Sequence, residues 1–394
     1  MTRSNDVEIL KQLRELPELF SDLENCPGSE LAVQQSLRAK YDAPLVRAAI
    51  SLQQARGKAE GRLPDAAQLW LTTVGLEQST AWQVAQHKAA RFPSDQMVMD
   101  LCSGIGVDTA ALLQRGPVAS VDSDPAVSLS CQWNLERWRA AGVVPENHAH
   151  EAIVADVHDL QLQDSLIHID PDRRCGRDRP VKRLEQYCPN LEWMQHAVQN
   201  VRGGALKLGP ASNFMQKFAD CEIEIVSLHG ECREATVWFG ELVGDGGFRA
   251  TSLPTGETLA ADPLSAWCAQ ANDVGKFIFD PDPAIVRSGL IDVLGERHDL
   301  CRLDQEDEYL TGESLPTTAF VKAYEVEECF PNNQQAVRKY LRSNPGRDYE
   351  IKCRRLKVDA NAIQKKLPRG DGPIRTLFHL RVGSKARIVV TKRT

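Results

Sequence analysis

Apolar positions fall into two rhythms along the chain. From about residue 30 to residue 92 they recur every third or fourth position, through LAVQQSLRAKY, PLVRAAISLQQARGKA and GLEQSTAWQVAQHKAARF, which predicts helices. Ser79 and Thr80 stand where they would cap the last of these, and Pro93 ends it. From Met97 onward, short apolar runs alternate with helical stretches. The runs are MVMDL (97–101), VASVD (118–122), AIVAD (152–156), LIHID (166–170) and GALKL (204–208), which predict strands. Parallel strands need crossovers of a dozen or more residues, and VDTAALLQR, PAVSLSCQWNLERWRAAG and NLEWMQHAVQNV supply helices for them. PASNFMQKFAD reads as one more helix. EIEIVSL and EATVWFGEL then follow with no helix between them, so they pair antiparallel.

This pattern predicts an α/β chain with a Rossmann-like, doubly wound sheet of seven strands at its centre. The expected order is an N-terminal helical region (1–93), the sheet domain (94–245), a linker with a helical subdomain (246–320) and a small α+β domain (321–394). The turn-rich stretch GDGGFRATSLPTGETLAADP marks the boundary after the sheet.

Composition narrows the class. A length of 394 residues suits two or three domains, and 42% apolar with 26% charged residues is an ordinary globular profile. Nothing approaches the ~18 uninterrupted apolar residues of a membrane helix, and MTRSNDVEILKQL lacks the apolar core of a secretory signal. A cytoplasmic protein with no membrane partner is expected. The 11 cysteines, scattered from Cys26 to Cys353 without a C-x-x-C pair, are expected to be reduced structural thiols, and no metal site is indicated. The formal charge of −7 hides a polarity. Residues 321–394 hold 18 Lys or Arg against 7 Asp or Glu, a net of +11, so the first 320 residues carry −18. Such an asymmetry points toward an anionic partner, because phosphate contacts are made by Lys and Arg.

Candidate chemistry gathers where the predicted parallel strands end. Asp100 closes the first strand and is followed by Leu101, Cys102, Ser103, Gly104, Ile105, Gly106, Val107 and Asp108. Glycines there let the backbone turn sharply and a ligand approach the next helix. Asp122 closes the second strand, where a carboxylate can accept bonds from both ribose hydroxyls of an adenosine ligand, and Asp156 closes the third. A dinucleotide loop would need a third glycine, but Thr109 stands there, and a pyrophosphate would meet Asp100 and Asp108 with no cation nearby. A ligand with an ammonium and a sulfonium, such as S-adenosylmethionine, suits those carboxylates better.

VMDLCSGIGVDTAALL, SVDSDP, VAD and HIDPDRR together resemble the class I S-adenosylmethionine-dependent methyltransferases over about 150 residues. More narrowly, GLEQSTAWQVAQHKAARF and LPRGDGPIRTLFHLRVGSKARIVV are similar to a bacterial methyltransferase group with a THUMP-like C-terminal domain, whose catalytic half is similar to trimethylguanosine synthases. The resemblance implies S-adenosylmethionine as cofactor. It also implies that Asp100, Gly104 and Gly106 shape the methionine pocket, that Asp122 holds the ribose and Asp156 the adenine edge, and that Cys102 and Ser123 lie in the same site.

HIDPDRR departs from the pattern of amino-directed relatives, which carry D/N-P-P followed by an aromatic residue. Here Asp172 replaces the second proline and Arg173 the ring. The expected catalytic residues are Asp170, Pro171 and Asp172, with either aspartate accepting a proton from the acceptor. Arg173 and Arg174, with Arg177 near them, are placed to grip a phosphate or stack on a base. Cys175 matches no known pattern for thiol catalysis, and His168 reads as a packed core residue. At the C-terminus, residues 354–393 alternate basic and apolar positions around Phe378 and His379. The THUMP likeness implies structured RNA, either tRNA or rRNA, as the partner. Methylation of a protein or small molecule, or a cofactor-binding protein without chemistry, stay open as alternatives.

Overall fold

The computed structural model describes residues 3–245 and 247–394. Gly246, where the expected linker begins, lies outside the described residues. The chain forms two compact units: Met1–Cys221 with Thr236–Gly244, and Glu222–Ala235 with Asp245–Thr394.

In the first unit, the N-terminal helices Arg3–Arg14, Pro17–Glu24, Glu30–Leu37, Ala43–Ala59, Thr73–Gln78 and Trp82–Ala89 precede the strands. The expected helical stretch 75–92 forms two helices, Thr73–Gln78 and Trp82–Ala89, and residues 79–81 lead into the second. Ser79 and Thr80 do not cap it. The Ser79 hydroxyl donates back to the Leu76 carbonyl and the Thr80 hydroxyl to Asp108, while Ala81 occupies the cap position without a side-chain bond.

Five strands are parallel: β1 (Val98–Leu101), β2 (Val118–Asp122), β3 (His150–Val154), β4 (Leu166–Ile169) and β5 (Gly203–Leu208). β1, β2, β4 and β5 are almost wholly buried, as continuous apolar strands covered on both faces must be. β3 starts and ends two residues before the predicted run. Asp156 therefore lies beyond it and caps the short turn Val157–Asp159. No helix forms over 210–220: Gln216 and Asp220 adopt φ of +60° and +55°, which a right-handed helix cannot include. The buried indoles of Trp138 and Trp238 belong to the core of this unit, which spans the helices, the glycine loop after β1 and the strands.

The antiparallel pair is present as β6 (Glu222–Leu228) and β7 (Glu231–Gly240), turned through His229 and Gly230, both at positive φ as a tight hairpin requires. Two further strands, β8 (Phe248–Leu253) and β9 (Glu257–Ala261), occupy the stretch expected to be only a turn-rich boundary. Polar pairs disguise them: Arg249 bonds Glu222 at 2.9 Å and Thr251 bonds Glu224 at 2.5 Å, so buried positions carry polar letters. The hydrogen-bonded order is β3-β2-β1-β4-β5-β7-β6-β8-β9, nine strands where seven were expected.

The rest of the second unit is a seven-stranded sheet: β10 (Phe277–Pro281), β11 (Cys301–Arg302), β12 (Leu310–Gly312), β13 (Val321–Pro331), β14 (Gly346–Cys353), β15 (Arg369–Val382) and β16 (Lys385–Arg393), in the order β11-β12-β10-β13-β16-β15-β14. Alternation along β15 and β16 splits its core. Leu377, Ile388 and Val390 meet Val337 and Leu341 of the helix Gln334–Ser343, while Phe378 and Val389 meet Tyr309 and Tyr324 on the other face. Asp280 pairs with Lys352 and Arg354, and Glu327 with Arg375. Arg338, Lys339 and Arg342 on the helix, and Lys365 and Lys366 just beyond the short helix Ala360–Gln364, have no carboxylate within 4.0 Å among the described residues. No described helix is long and apolar enough to cross a membrane.

Candidate active site

The parallel strands of the first unit deliver their ends to one cavity of about 1150 Å³. That exceeds the roughly 300–1,000 Å³ of pockets that hold one drug-sized ligand, and leaves room for two reactants. Seven aspartates and two arginines line it.

After β1 the chain turns through Cys102, Gly104 and Gly106 at φ of +60°, +56° and +87°. Cys102 and Gly104 line the cavity, and a side-chain carbon on Gly104 would find open space. Gly106 sits one layer deeper, where a Cβ would lie 2.6 Å from the Cys131 sulfur. Gly106→Ala is therefore expected to lose about 2–5 kcal/mol, the sum of left-handed strain and overpacking. Chemical unfolding checks this, and adding Cys131→Ala should restore only the packing part.

Asp122, at the end of β2, accepts the Asp124 N–H at 2.9 Å and the Gly104 N–H at 3.1 Å, so the second strand fixes the glycine loop of the first. Burial pushes its carboxyl above the ordinary value against the pull of those donors. Ser123 stands beside it on the cavity wall. Burial and the surrounding aspartates push the Cys102 thiol well up, which keeps it protonated and poor as a nucleophile. Asp156 also reaches the cavity. The His158 N–H at 3.0 Å, and then the His158 ring at 2.5 Å, hold its carboxyl below the usual range.

Asp100 does not line the cavity. It is fully buried, with Thr109 on one oxygen and the His168 ring nitrogen 2.7 Å from the other. His168 is thus the packed residue the sequence predicts, and Asp100 stiffens the loop from behind. Asp108, read from sequence only as a negative charge in the loop, does face the cavity. Burial disfavours its charge, but Lys88 at 3.1 Å, His168 and Lys207 outweigh that and hold the carboxyl down.

At the end of β4 stand Asp170, Pro171, Asp172 and Arg173, all on the cavity wall. The Lys207 ammonium, from β5, meets Asp170 at 2.6 Å and the Gln78 carbonyl at 3.0 Å. Burial nonetheless pushes the Asp170 carboxyl up. Asp172 is committed: one oxygen accepts the Gln78 amide at 2.7 Å and the Arg174 N–H at 2.8 Å, the other the Cys175 N–H at 2.8 Å. Arg174 turns away to Glu77 at 2.7 Å and is not on the cavity wall. Asp170 and Asp172, alike in sequence, are therefore unlike in place. Sequence reasoning missed Lys207, Lys88 and Gln78. Lys207 was signalled by a lone charge inside the apolar run GALKL.

Cys175 and Cys188 form a disulfide with Cα atoms 5.9 Å apart, which corrects the expectation of reduced thiols throughout. The pair lacks C-x-x-C spacing because a loop brings the two together, and Asp172 bridges to Cys188 in backbone bonds of 2.8 and 3.0 Å.

A wall rich in carboxylates, with an open glycine approach, fits a positively charged, phosphate-free adenosine ligand. Residues 321–393 match the family model described as THUMP domain-like. Over 366 residues the chain is 31% identical to uncharacterized S-adenosylmethionine-dependent methyltransferases from two strains of Mycobacterium tuberculosis, which spans 90% of this chain and 98% of theirs. A methyltransferase candidate from Porphyromonas gingivalis shares the fold with a TM-score of 0.75 at 16% identity, over 100% of this chain and 99% of that one. Both the strand-end chemistry and a likeness that runs nearly the full length of its relatives lead to one family: the chain belongs to the S-adenosylmethionine-dependent methyltransferases.

Proposed function

We propose that this methyltransferase modifies structured RNA, tRNA or rRNA, in the cytoplasm. The observation that carries the reading is the THUMP-like match on the basic end of the chain, where Arg338, Lys339, Arg342, Lys365 and Lys366 keep their charge unneutralised by any carboxylate within 4.0 Å among the described residues. Free cations on a rigid sheet-and-helix frame suit a partner held by backbone and shape.

In this reading Asp122 accepts the ribose hydroxyls, Ser123 and Asp156 border the adenine, and Cys102 and Gly104 form the approach to the methionine part. Gly106 and Asp100 support that approach from below. When bound, S-adenosylmethionine supplies a methyl group already activated on a positively charged sulfur. The residues then have only to align the acceptor, at about 3–3.5 Å and in line with the bond that breaks. As the acceptor nitrogen or oxygen gains the methyl and the bond to sulfur breaks, Asp170 takes the acceptor's proton. Pro171 sets the turn that presents it. Asp172 acts as a scaffold for the loop, Arg173 contacts the acceptor strand from the cavity wall, and Arg174 anchors the loop through Glu77.

Mass analysis of RNA nucleosides from a deletion strain tests the substrate class. One methylated nucleoside should disappear and be restored to that RNA by the purified protein with S-adenosylmethionine. An unchanged nucleoside profile would replace the reading with a protein or small-molecule acceptor.

A further inference from the structure

The segment from Arg173 to Arg183 packs six Lys or Arg into eleven residues, against the single acidic Asp178. It lies wholly in the first unit, begins on the cavity wall at Arg173 and leads back to it at Tyr187 and Cys188. The function proposed above uses only its first two residues.

The segment is built rather than loose. The Cys175–Cys188 disulfide and the Asp172–Cys188 bridge close its base. The Val181 N–H donates to the Arg173 carbonyl at 2.9 Å and the Asn213 N–H to the Lys182 carbonyl at 3.1 Å. The side chain of Asn213 in turn accepts the Leu184 N–H at 2.9 Å, and Leu184 is fully buried. On this frame Arg177, Arg179, Lys182 and Arg183 are exposed. None of the four has a carboxylate within 4.0 Å among the described residues, and Arg177 reaches only the Gln186 carbonyl at 3.5 Å. Two acids nearby, outside the segment, are spent elsewhere. Glu77 holds Arg174, and Glu185 holds Lys217 and Asn213, which with its own backbone N–H pull its carboxyl down to about 2.

Four exposed cations on a frame whose neighbours Arg173 and Gly176 line the acceptor cavity, with Asp178 the segment's single carboxylate, repel one another, and an arriving polyanion removes that cost. A nucleotide acceptor entering that cavity carries a phosphate on either side. We infer that residues 177–183 form a phosphate-binding lip, through which the catalytic unit itself grips the RNA strand next to the methylated nucleotide. This rests on the RNA reading, and adds a second point of attachment besides the basic C-terminal sheet.

The test uses the full chain and total bacterial tRNA, with binding followed by fluorescence anisotropy across a salt series. Removing one phosphate-binding cation should flatten the slope of log affinity against log salt by about 0.7–0.9. A variant with Arg177→Gln, Arg179→Gln, Lys182→Gln and Arg183→Gln is expected to bind tRNA at least tenfold more weakly at low salt. Its slope should be shallower by about 3–3.5. Its affinity for S-adenosylhomocysteine, outside the lip, should match the parent protein and so verifies the fold. The single exposed change Arg179→Glu should weaken tRNA binding in the same direction and guards against a misfolded quadruple variant. If the parent binds tRNA with steep salt dependence and both variants bind identically, the lip is overturned while the RNA reading stands. If the parent binds neither tRNA nor ribosomal RNA at low salt, both fall. If it instead binds phosphatidylserine vesicles through these residues, the lip is a membrane contact and the inference is overturned.

Discussion

Asp122→Ala is expected to weaken binding of S-adenosylhomocysteine at least 100-fold, about 2.7 kcal/mol, without unfolding the protein. The magnitude follows from two charge-assisted bonds to ribose hydroxyls, each worth roughly 1.5–3 kcal/mol where water is excluded. The carboxylate that would make them is already aimed, because the Asp124 and Gly104 N–H groups hold it in place. That double duty suggests the companion variant. Asp122→Asn keeps one acceptor oxygen, enough for one backbone donor and one hydroxyl, and should fall between the parent and Asp122→Ala. Isothermal titration calorimetry reads the affinities and circular dichroism the fold. Retention of parental affinity in Asp122→Ala would remove this residue from the ribose.

The frame of the site was legible because its signal is periodic. Parallel strands buried on both faces leave continuous apolar runs, so β1, β2, β4 and β5 lie within a residue of their predicted bounds. Asp122 and Asp170 could be placed at strand ends for the same reason. What was hidden depends on partners distant in sequence. β8 is masked by the buried pairs Arg249–Glu222 and Thr251–Glu224, which put polar letters where periodicity expects apolar ones. Asp100 and Asp108 look equivalent in the loop. Tertiary partners separate them, since His168 from β4 and Thr109 take Asp100 into the core, while Lys88 and Thr80 hold Asp108 at the cavity. The pairing of Cys175 with Cys188 and of Arg174 with Glu77 likewise belongs to the folded loop and not to any spacing.

The same distinction predicts which aspartate of HIDPDRR carries chemistry, and with it opposite kinetics for two conservative changes. Asp172 already accepts three hydrogen bonds from protein donors, whereas Asp170 faces the cavity with Lys207 on one oxygen. Asp170→Asn is expected to lower kcat by roughly 10²–10⁴, the usual weight of a general base, with affinity for S-adenosylhomocysteine unchanged. Asp172→Asn should mainly raise KM, through a slackened loop. The pH profile adds a sign. A base works ionised, so kcat falls as pH drops through the Asp170 pKa, and burial places that acid limb above the ordinary carboxylate range. Lys207 partly opposes the shift. Lys207→Met removes the cation that favours the ionised form, so the limb should move to still higher pH, while in Asp170→Asn it should vanish. Rapid-quench methyl transfer to the RNA substrate across the pH series measures all three. If Asp170→Asn keeps more than a tenth of the parental rate, or if the limb does not move in Lys207→Met, the proton is taken by another group and the Asp170–Lys207 pair serves only to shape the wall.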